Sequence, residues 1–444
     1  YERRALMKII SSYQVELLRI NKSLQPTIDI GRSALAFCIK AINESWDDIV
    51  AVNMPKQQFN FVEKLFHATK DNPTPKYPDF DAEFYKMPVY FRRAIIQHAL
   101  GIVSSYQSNY KNWLASDQTK RAPKLQLKHM WYPTFYNDNM YAEGKGDTVH
   151  LKLYNGADWV WYIVAVRHTD LVYLQKYWSH IKASAPTMEK RHGKYYLRFS
   201  FEEKVALHDI ENGAERICAV DLGINSDAVC SIIQKDGTIL GRKFIDFPSD
   251  KDRLYRMLNR IKRYQREHGS RSVGSFWSYA QRANNELSKK IAVAVTEYAA
   301  SQNADVIVFE KLDMKNSRTK SQKISLWRKN GIQTIAEHKA HRLGIHISHV
   351  CAWGTSKLAF DGSGKLTRDK DNQALATFAS GKRYNCDLSA SYNIGARYYI
   401  REILKPLNES SRSRLQAKVP DAGRRTHCTY ATLLAVLKEQ PIAA

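Results

Sequence analysis

An apolar run that stops on a carboxylate constrains this chain more than any other stretch. In RICAVDLGINSDAVCSII, residues 216–233, the run 217–220 ends on Asp221, Gly223 follows, and a second strand-like run starts at Ala228. Asp236-Gly237 is a two-residue hairpin signal. Residues 241–247 read as a third strand. The sequence therefore predicts an antiparallel meander with an acid at the inner end of its first, central strand. A carboxylate there is costly in a dry core, so it calls for a sheet edge, a bulge or a metal. Taken alone, Asp221 is read equally well as a solvated acid closing a strand.

Two further stretches carry the same kind of acid. Residues 304–310, ADVIVFE, form a near-continuous apolar run, as in a strand covered on both faces, and end on Glu310. Helices are expected before it, at residues 251–271 and 284–300. After it come a polar, basic loop over 311–330, a helix at 332–343 stopped by Gly344, and a strand at 345–350. In NCDLSASYNIGARYY, residues 385–399, Asp387 precedes a helix whose Ala390, Ile394 and Tyr398 share a face. Asp is also a common N-cap, so this acid has an ordinary explanation when read by itself. The helix is expected to stop at Pro406, followed by a basic, loop-like tail to about Thr429 and a short helix over 430–438.

Together these elements run strand, strand, strand, helix, strand, helix, strand, helix, the order of an RNase H-like fold. Its three acids stand at separated positions: Asp221, Glu310 and Asp387. Three convergent carboxylates repel one another unless a divalent cation neutralises them. Hard oxygen ligands suit Mg²⁺, with Mn²⁺ able to substitute. Two such ions can hold the attacking and the leaving oxygen of an in-line phosphodiester displacement. The residues thus point to a metal-dependent nuclease or strand-transfer enzyme.

The charge balance agrees. Of 444 residues, 68 are Lys or Arg and 44 are Asp or Glu, a net charge of +24 that attracts polyanions. No apolar run approaches 18 residues and no signal-peptide pattern opens the sequence, so nucleic acid rather than membrane is the expected partner. Cysteines 38, 218, 230, 351, 386 and 428 are scattered without a CxxC, which suits a reducing compartment. A prokaryotic cytoplasmic, nucleoid-associated location is expected.

Two basic stretches are candidate contact surfaces. Residues 119–128 hold four Lys or Arg in ten, among them Lys120, Arg121 and Lys124. The aromatic-rich strands that follow, with Trp131, Tyr132, Phe135, Tyr136, Trp159, Trp161, Tyr162, Tyr195 and Tyr196, could stack on bases; packing in an ordinary β-barrel core is the stronger reading for any single ring. Residues 251–271 hold eight Lys or Arg against two acids. At helical spacing Arg253, Arg256, Arg260 and Arg263 fall on one flank, where phosphates would offset their mutual repulsion.

DLGIN, VFEKLD and CDLSASYNIGAR resemble the three RuvC motifs of TnpB, the transposon-encoded RNA-guided nucleases, and equally those of the related compact type V CRISPR effectors. The resemblance is most specific over residues 216–399; upstream it is one of layout. It implies a multidomain α+β chain: a β-barrel-like wedge domain at 1–25 and 119–215, an inserted helical recognition domain at 26–118, and a RuvC nuclease domain at 216–350 and 387–444. It implies a guide RNA, a double-stranded DNA target beside a short flanking motif, and cutting by Asp221, Glu310 and Asp387 as metal ligands. Thr355-Ser356-Lys357 resembles the lead-in to the family's zinc ribbon. The ribbon's ligand positions would fall at Ala359, Gly362, Thr377 and Ser380, none of them Cys or His. No zinc is expected, and residues 351–386 read as a degenerate, metal-free ribbon with a flexible stretch at 361–371. A guided repressor that does not cut, and an RNA-independent transposase or resolvase, are the alternatives; monomer or dimer is left open.

Overall fold

The computed structural model describes residues 6–18, 24–52, 54–68, 72–136, 138–223, 226–269, 273–311 and 329–439. Most of the expected 311–330 loop, and the last residues of DLGIN and VFEKLD, lie outside the described residues. The chain divides into two compact units, one formed by residues 10–203 and the other by 1–9 with 204–444.

The first unit takes β1 (Leu6–Glu16) from Ile10 onward, then α1 (Leu24–Glu44), α2 (Trp46–Val50), α3 (Pro55–Phe66), α4 (Asp79–Glu83) and α5 (Val89–Leu114). The helical span follows from the apolar repeat: Ala34, Leu35, Cys38 and Ile42 of α1 and Phe91, Ile95 and Ala99 of α5 are all buried. After the irregular basic stretch come β2 (Tyr141–Glu143), β3 (Thr148–Tyr154), β4 (Trp159–Ala165), α6 (His168–Trp178), β5 (Thr187–Arg191) and β6 (Lys194–Ala206). The strands form two three-stranded sheets, β1-β6-β5 and β2-β3-β4; an isolated bridge at Leu17–Val166 links them, and one at Thr134–Thr187 ties the irregular stretch to β5. Helix α6 was not expected; Leu171, Leu174 and Trp178 pack it onto the core. Trp131, Phe135, Trp159 and Tyr195 are likewise buried in that core, so packing accounts for them.

The second unit is built on a five-stranded mixed sheet, ordered β11-β10-β7-β8-β9. Its strands are β7 (Arg216–Asp221), β8 (Ala228–Gln234), β9 (Ile239–Ile245), β10 (Val306–Lys311) and β11 (His346–Cys351). β7 to β9 form the expected antiparallel meander, turned at Gly237 with φ 88°. β10 and β11 run parallel to β7, which is central. Between β9 and β10 lie α7 (Pro248–His268) and α8 (Gly274–Ser301); α9 (Lys329–Arg342) precedes β11. Helix α8 starts ten residues before the expected Asn284, because Phe276, Trp277 and Ala280 pack against Leu254, Met257, Leu258 and Ile261 of α7.

After β11 come three short strands, β12 (Thr367–Arg368), β13 (Leu375–Thr377) and β14 (Arg383–Asn385), then α10 (Cys386–Leu404), α11 (Glu409–Lys418) and α12 (Tyr430–Glu439). The tail expected as a loop contains α11, capped by Asn408, whose side chain accepts from the Ser411 amide at 2.8 Å. The stretch expected to be flexible, 361–371, is tied down instead. Asp361 accepts from the Ser363 amide and the Ser363 and Ser380 hydroxyls, and β12 pairs with β13. Helices cover both faces of the large sheet. Cys218, Val220, Ile307 and Phe309 face α8 and α9, while Ile217, Ala219, Val306 and Val308 face α10 and α12. Among the described residues no helix is long and apolar enough to cross a membrane.

Candidate active site

Strand register sets the first two acids side by side. β7 and β10 are parallel, with Phe309 opposite Val220, so the next residues, Glu310 and Asp221, are neighbours at the same ends of adjacent strands. Side chains alternate faces along a strand. Asp221 and Glu310 therefore continue the row Ile217-Ala219 and Val306-Val308, the face covered by α10. Both are nearly sealed from solvent, at 8% and 9% exposed.

The third acid arrives from the covering helix. Asp387 lies inside the first turn of α10 and does not cap it. That role belongs to Asn385, whose side chain accepts from the Asp387 and Leu388 amides at 3.0 and 2.9 Å. Asp387 is thereby released to point its charge elsewhere. Burial, then the charges of Glu310 and Asp387, hold the Asp221 carboxyl well above its usual range, against an opposing pull from Arg368. Burial also raises Asp387, with Arg368 and the Ser226 hydroxyl pulling it back. The helix dipole at the start of α10 favours an anion in this position.

Hydroxyls hold two of the acids. Thr355, itself buried, donates to Glu310, and Ser226 hydrogen-bonds to Asp387. Among the described residues no three His, Cys, Asp or Glu side chains are gathered tightly enough to make a ready-made metal cluster. The donor set, three carboxylates backed by hydroxyls, fits a hard divalent ion better than a soft one.

Three residues of this neighbourhood, Arg368, Asn393 and Arg397, were given no role from sequence, and a fourth, Thr355, was noted only as part of the ribbon's lead-in. Arg368 sits in the ribbon-like segment, its Nη1 donating to the Gln373 carbonyl at 3.2 Å. That carbonyl also faces the Cys386 thiol at 3.6 Å, one residue before Asp387. Asn393 donates to the Thr355 and Leu358 carbonyls at 3.0 and 2.9 Å and accepts from the Tyr430 amide. Arg397 donates to the carbonyls of Cys351, Trp353, Thr426 and Cys428. These two residues of α10 pin the backbone that carries the hydroxyl of the fourth, Thr355. A polar residue on the buried side of an apolar helix was the available signal.

Of the four ribbon positions Ala359 is packed, while Gly362, Thr377 and Ser380 are exposed. Ala359, Ala376, Phe378 and Cys386 form a small core, and Phe360 makes ring contacts with Phe378, Tyr384, Tyr392 and Tyr430.

The basic candidates are exposed, and they divide. Arg253 donates to the Tyr279 hydroxyl at 2.8 Å from Nε and lies 5.1 Å over that ring; Arg260 lies 4.9 Å over Phe276. Arg256 and Arg263 have no such partner among the described residues. Lys120, Arg121 and Lys124 lie in the irregular stretch of the other unit, all exposed.

Comparison with known proteins gives the fold and little more. A family model described as the Aq_aa04 family matches residues 11–155. An uncharacterised protein of that designation from Aquifex aeolicus (strain VF5) is 33% identical over 92 residues, 21% of this chain and 51% of that protein. The chain thus spans about half the length of the curated relative it matches. Among solved structures, the mini-RNA-guided endonuclease CRISPR-Cas_phi3 superposes with a TM-score of 0.53 at 11% identity, covering 87% of this chain and 92% of that one. CasPhi-2 (Cas12j) bound to crRNA gives 0.51 at 9% identity, covering 87% and 97%. The chain is a mixed α/β, multidomain protein with the fold of compact Cas12 effectors.

Proposed function

We propose that this chain is an RNA-guided DNA endonuclease that cuts at one RNase H-like, RuvC-type site. The observation that supports the reading is that Asp221 and Glu310 stand side by side at the ends of adjacent parallel strands, with Asp387 on the covering helix near enough for its charge to act on Asp221. The resemblance of the three motifs to those of TnpB and compact type V effectors supports it. So does a fold shared with a protein described as an RNA-guided endonuclease and another described as bound to crRNA. A guide RNA and a double-stranded DNA target are the proposed partners.

The three carboxylates would hold Mg²⁺, which supplies charge neutralisation at the phosphodiester and an activated water when bound. Thr355 and Ser226 fix the orientation of Glu310 and Asp387. Arg368 adds positive charge beside Asp387, where it can steady a phosphate oxygen. Burial keeps bulk water from competing for the carboxylates.

The test is to purify the chain with its RNA, sequence that RNA, and offer a matching DNA duplex with Mg²⁺. Asp221→Asn, Glu310→Gln and Asp387→Asn should each abolish cutting. Duplex binding should stay near the wild-type level, because it rests on phosphate contacts elsewhere. Cutting without RNA would replace this reading with an RNA-independent transposase or resolvase. Guided binding without cutting by the unaltered chain would replace it with a repressor.

A further inference from the structure

A cavity of about 780 Å³ opens beside the acids, on the β11 side of the sheet. Its walls include Lys311, which follows Glu310, and Val350, which pairs with Glu310 across the β10–β11 ladder. Among the described residues six Lys and Arg side chains line it, and no Asp or Glu does.

The six have different jobs. Arg397 is spent on backbone carbonyls, as described above. Arg401 is braced by the His349 carbonyl and the Ser348 hydroxyl at 3.0 and 2.8 Å and is ion-paired with Glu402 at 2.7 Å, and Arg412 is braced by the Leu404 carbonyl at 2.9 Å. Bracing of this kind sets a guanidinium in place before a ligand arrives, which lowers the ordering cost of binding. Lys311, Lys405 and Arg425 are exposed and have no acidic partner among the described residues. The floor is apolar, with Val350, Ile400 and Leu404. Cationic walls over an apolar floor match a unit that joins a phosphate to a sugar and base, and match neither a divalent cation nor a bare inorganic anion.

We propose that this cavity is a second nucleic-acid site, taking the phosphates and one or two nucleotides of a single strand next to the acid site. The proposal rests on the nucleic-acid reading above and extends it to a site that the three acids do not define.

Cys351 supplies a local readout. It lines the cavity and is exposed, whereas the other five cysteines are buried. The experiment measures the alkylation rate of Cys351 in the full chain, without and with a saturating 12-nucleotide single-stranded DNA. Affinity is followed in parallel by anisotropy against salt. In the unaltered chain the oligonucleotide should slow alkylation about tenfold. In Lys405→Ala/Arg425→Ala that protection should disappear, affinity should fall about tenfold, and the salt slope should shrink by about 1.4. Lys289→Ala/Lys339→Ala removes two cations that are paired with acids elsewhere in the same unit, and should change none of these. Lys311→Ala is the second variant, should the double substitution melt early.

An unprotected Cys351 in a chain that still binds the oligonucleotide overturns the site and leaves the nuclease reading standing. Failure of the chain to bind any oligonucleotide overturns both. Protection by inorganic pyrophosphate but not by the oligonucleotide overturns the strand and leaves a small-polyphosphate site.

Discussion

At the residue scale, a buried acid costs stability unless something offsets its charge, and Asp227 shows how much. It accepts from the Phe247 amide at 2.7 Å and so ties the start of β8 to the turn into α7. Burial pushes its carboxyl up to about 6, helped by Asp246 and opposed by the Phe247 amide and by Lys251 at 3.9 Å. The folded state therefore holds this proton more tightly than the unfolded chain, where an Asp titrates near 3.9. Below that pH the group contributes nothing. As pH rises from about 4 to 6 the unfolded state ionises first and stability falls; above about 6 the full penalty, about 3 kcal/mol at most, is in place. Asn at this position can still accept from the Phe247 amide. Denaturant unfolding of Asp227→Asn from pH 4 to 7 should lack this loss, so the variant should gain on the wild type as pH rises. Parallel curves for the two proteins would show that Asp227 is solvated. The same logic made Asp221 and Glu310 legible in sequence, because each closes an apolar stretch where a charge needs a reason; Asp387 drew notice as a third acid at the start of a helix. Arg368 was not legible, since an arginine in a polar segment is ordinary until the fold sets it beside Asp387.

At the element scale, α10 makes the site by lying very close to the sheet. Gly395 permits this: a Cβ there would stand 2.5 Å from Ile233 Cδ1 and 3.2 Å from Ala219 Cβ. Ala is the better helix former by about 1 kcal/mol, but overpacking a full core costs about 1–3 kcal/mol. Gly395→Ala should therefore lose up to about 2 kcal/mol by urea unfolding, and Ile233→Val in the same chain should restore part of the loss by opening room. Equal stabilities of wild type and Gly395→Ala would show that the helix can ride outward. The ribbon-like segment makes a second case. Its ligand positions lack Cys and His, and its side chains build the Phe360 cluster. The purified chain should hold no stoichiometric zinc, and a strong chelator should leave its melting temperature unmoved, whereas Phe360→Ala should lower it by several degrees. One tightly held zinc per chain in elemental analysis would refute this. The sequence could show that the zinc ligands were missing. It could not show the ring cluster, whose members lie between residues 360 and 430 and meet only after folding.

At the scale of the whole molecule, the excess positive charge needs an address. Order and periodicity announced the five strands of the large sheet and α7 to α10. The division between compact units at residue 203 was not announced, because it cuts within β6 and no breaker marks it. Nor does composition tell which arginines are available to a partner. Arg253, Arg256, Arg260 and Arg263 look alike in sequence, yet two of them lie over rings of α8. A guanidinium already stacked and hydrogen-bonded loses those contacts if it turns to a phosphate, whereas a free one loses only water. If α7 lines a nucleic-acid channel, Arg256→Ala/Arg263→Ala should reduce the salt slope of duplex binding by about 1.8, close to the full value for two phosphate contacts. Arg253→Ala/Arg260→Ala should reduce it by less and should instead loosen α7 from α8, seen as a drop in melting temperature. Phosphate contacts position a strand without reading its bases, so the loss of affinity should be the same for unrelated sequences. Equal slopes for both pairs and the wild type would make this flank of α7 a solvated face. The main contact surface would then have to be sought around Lys120, Arg121 and Lys124.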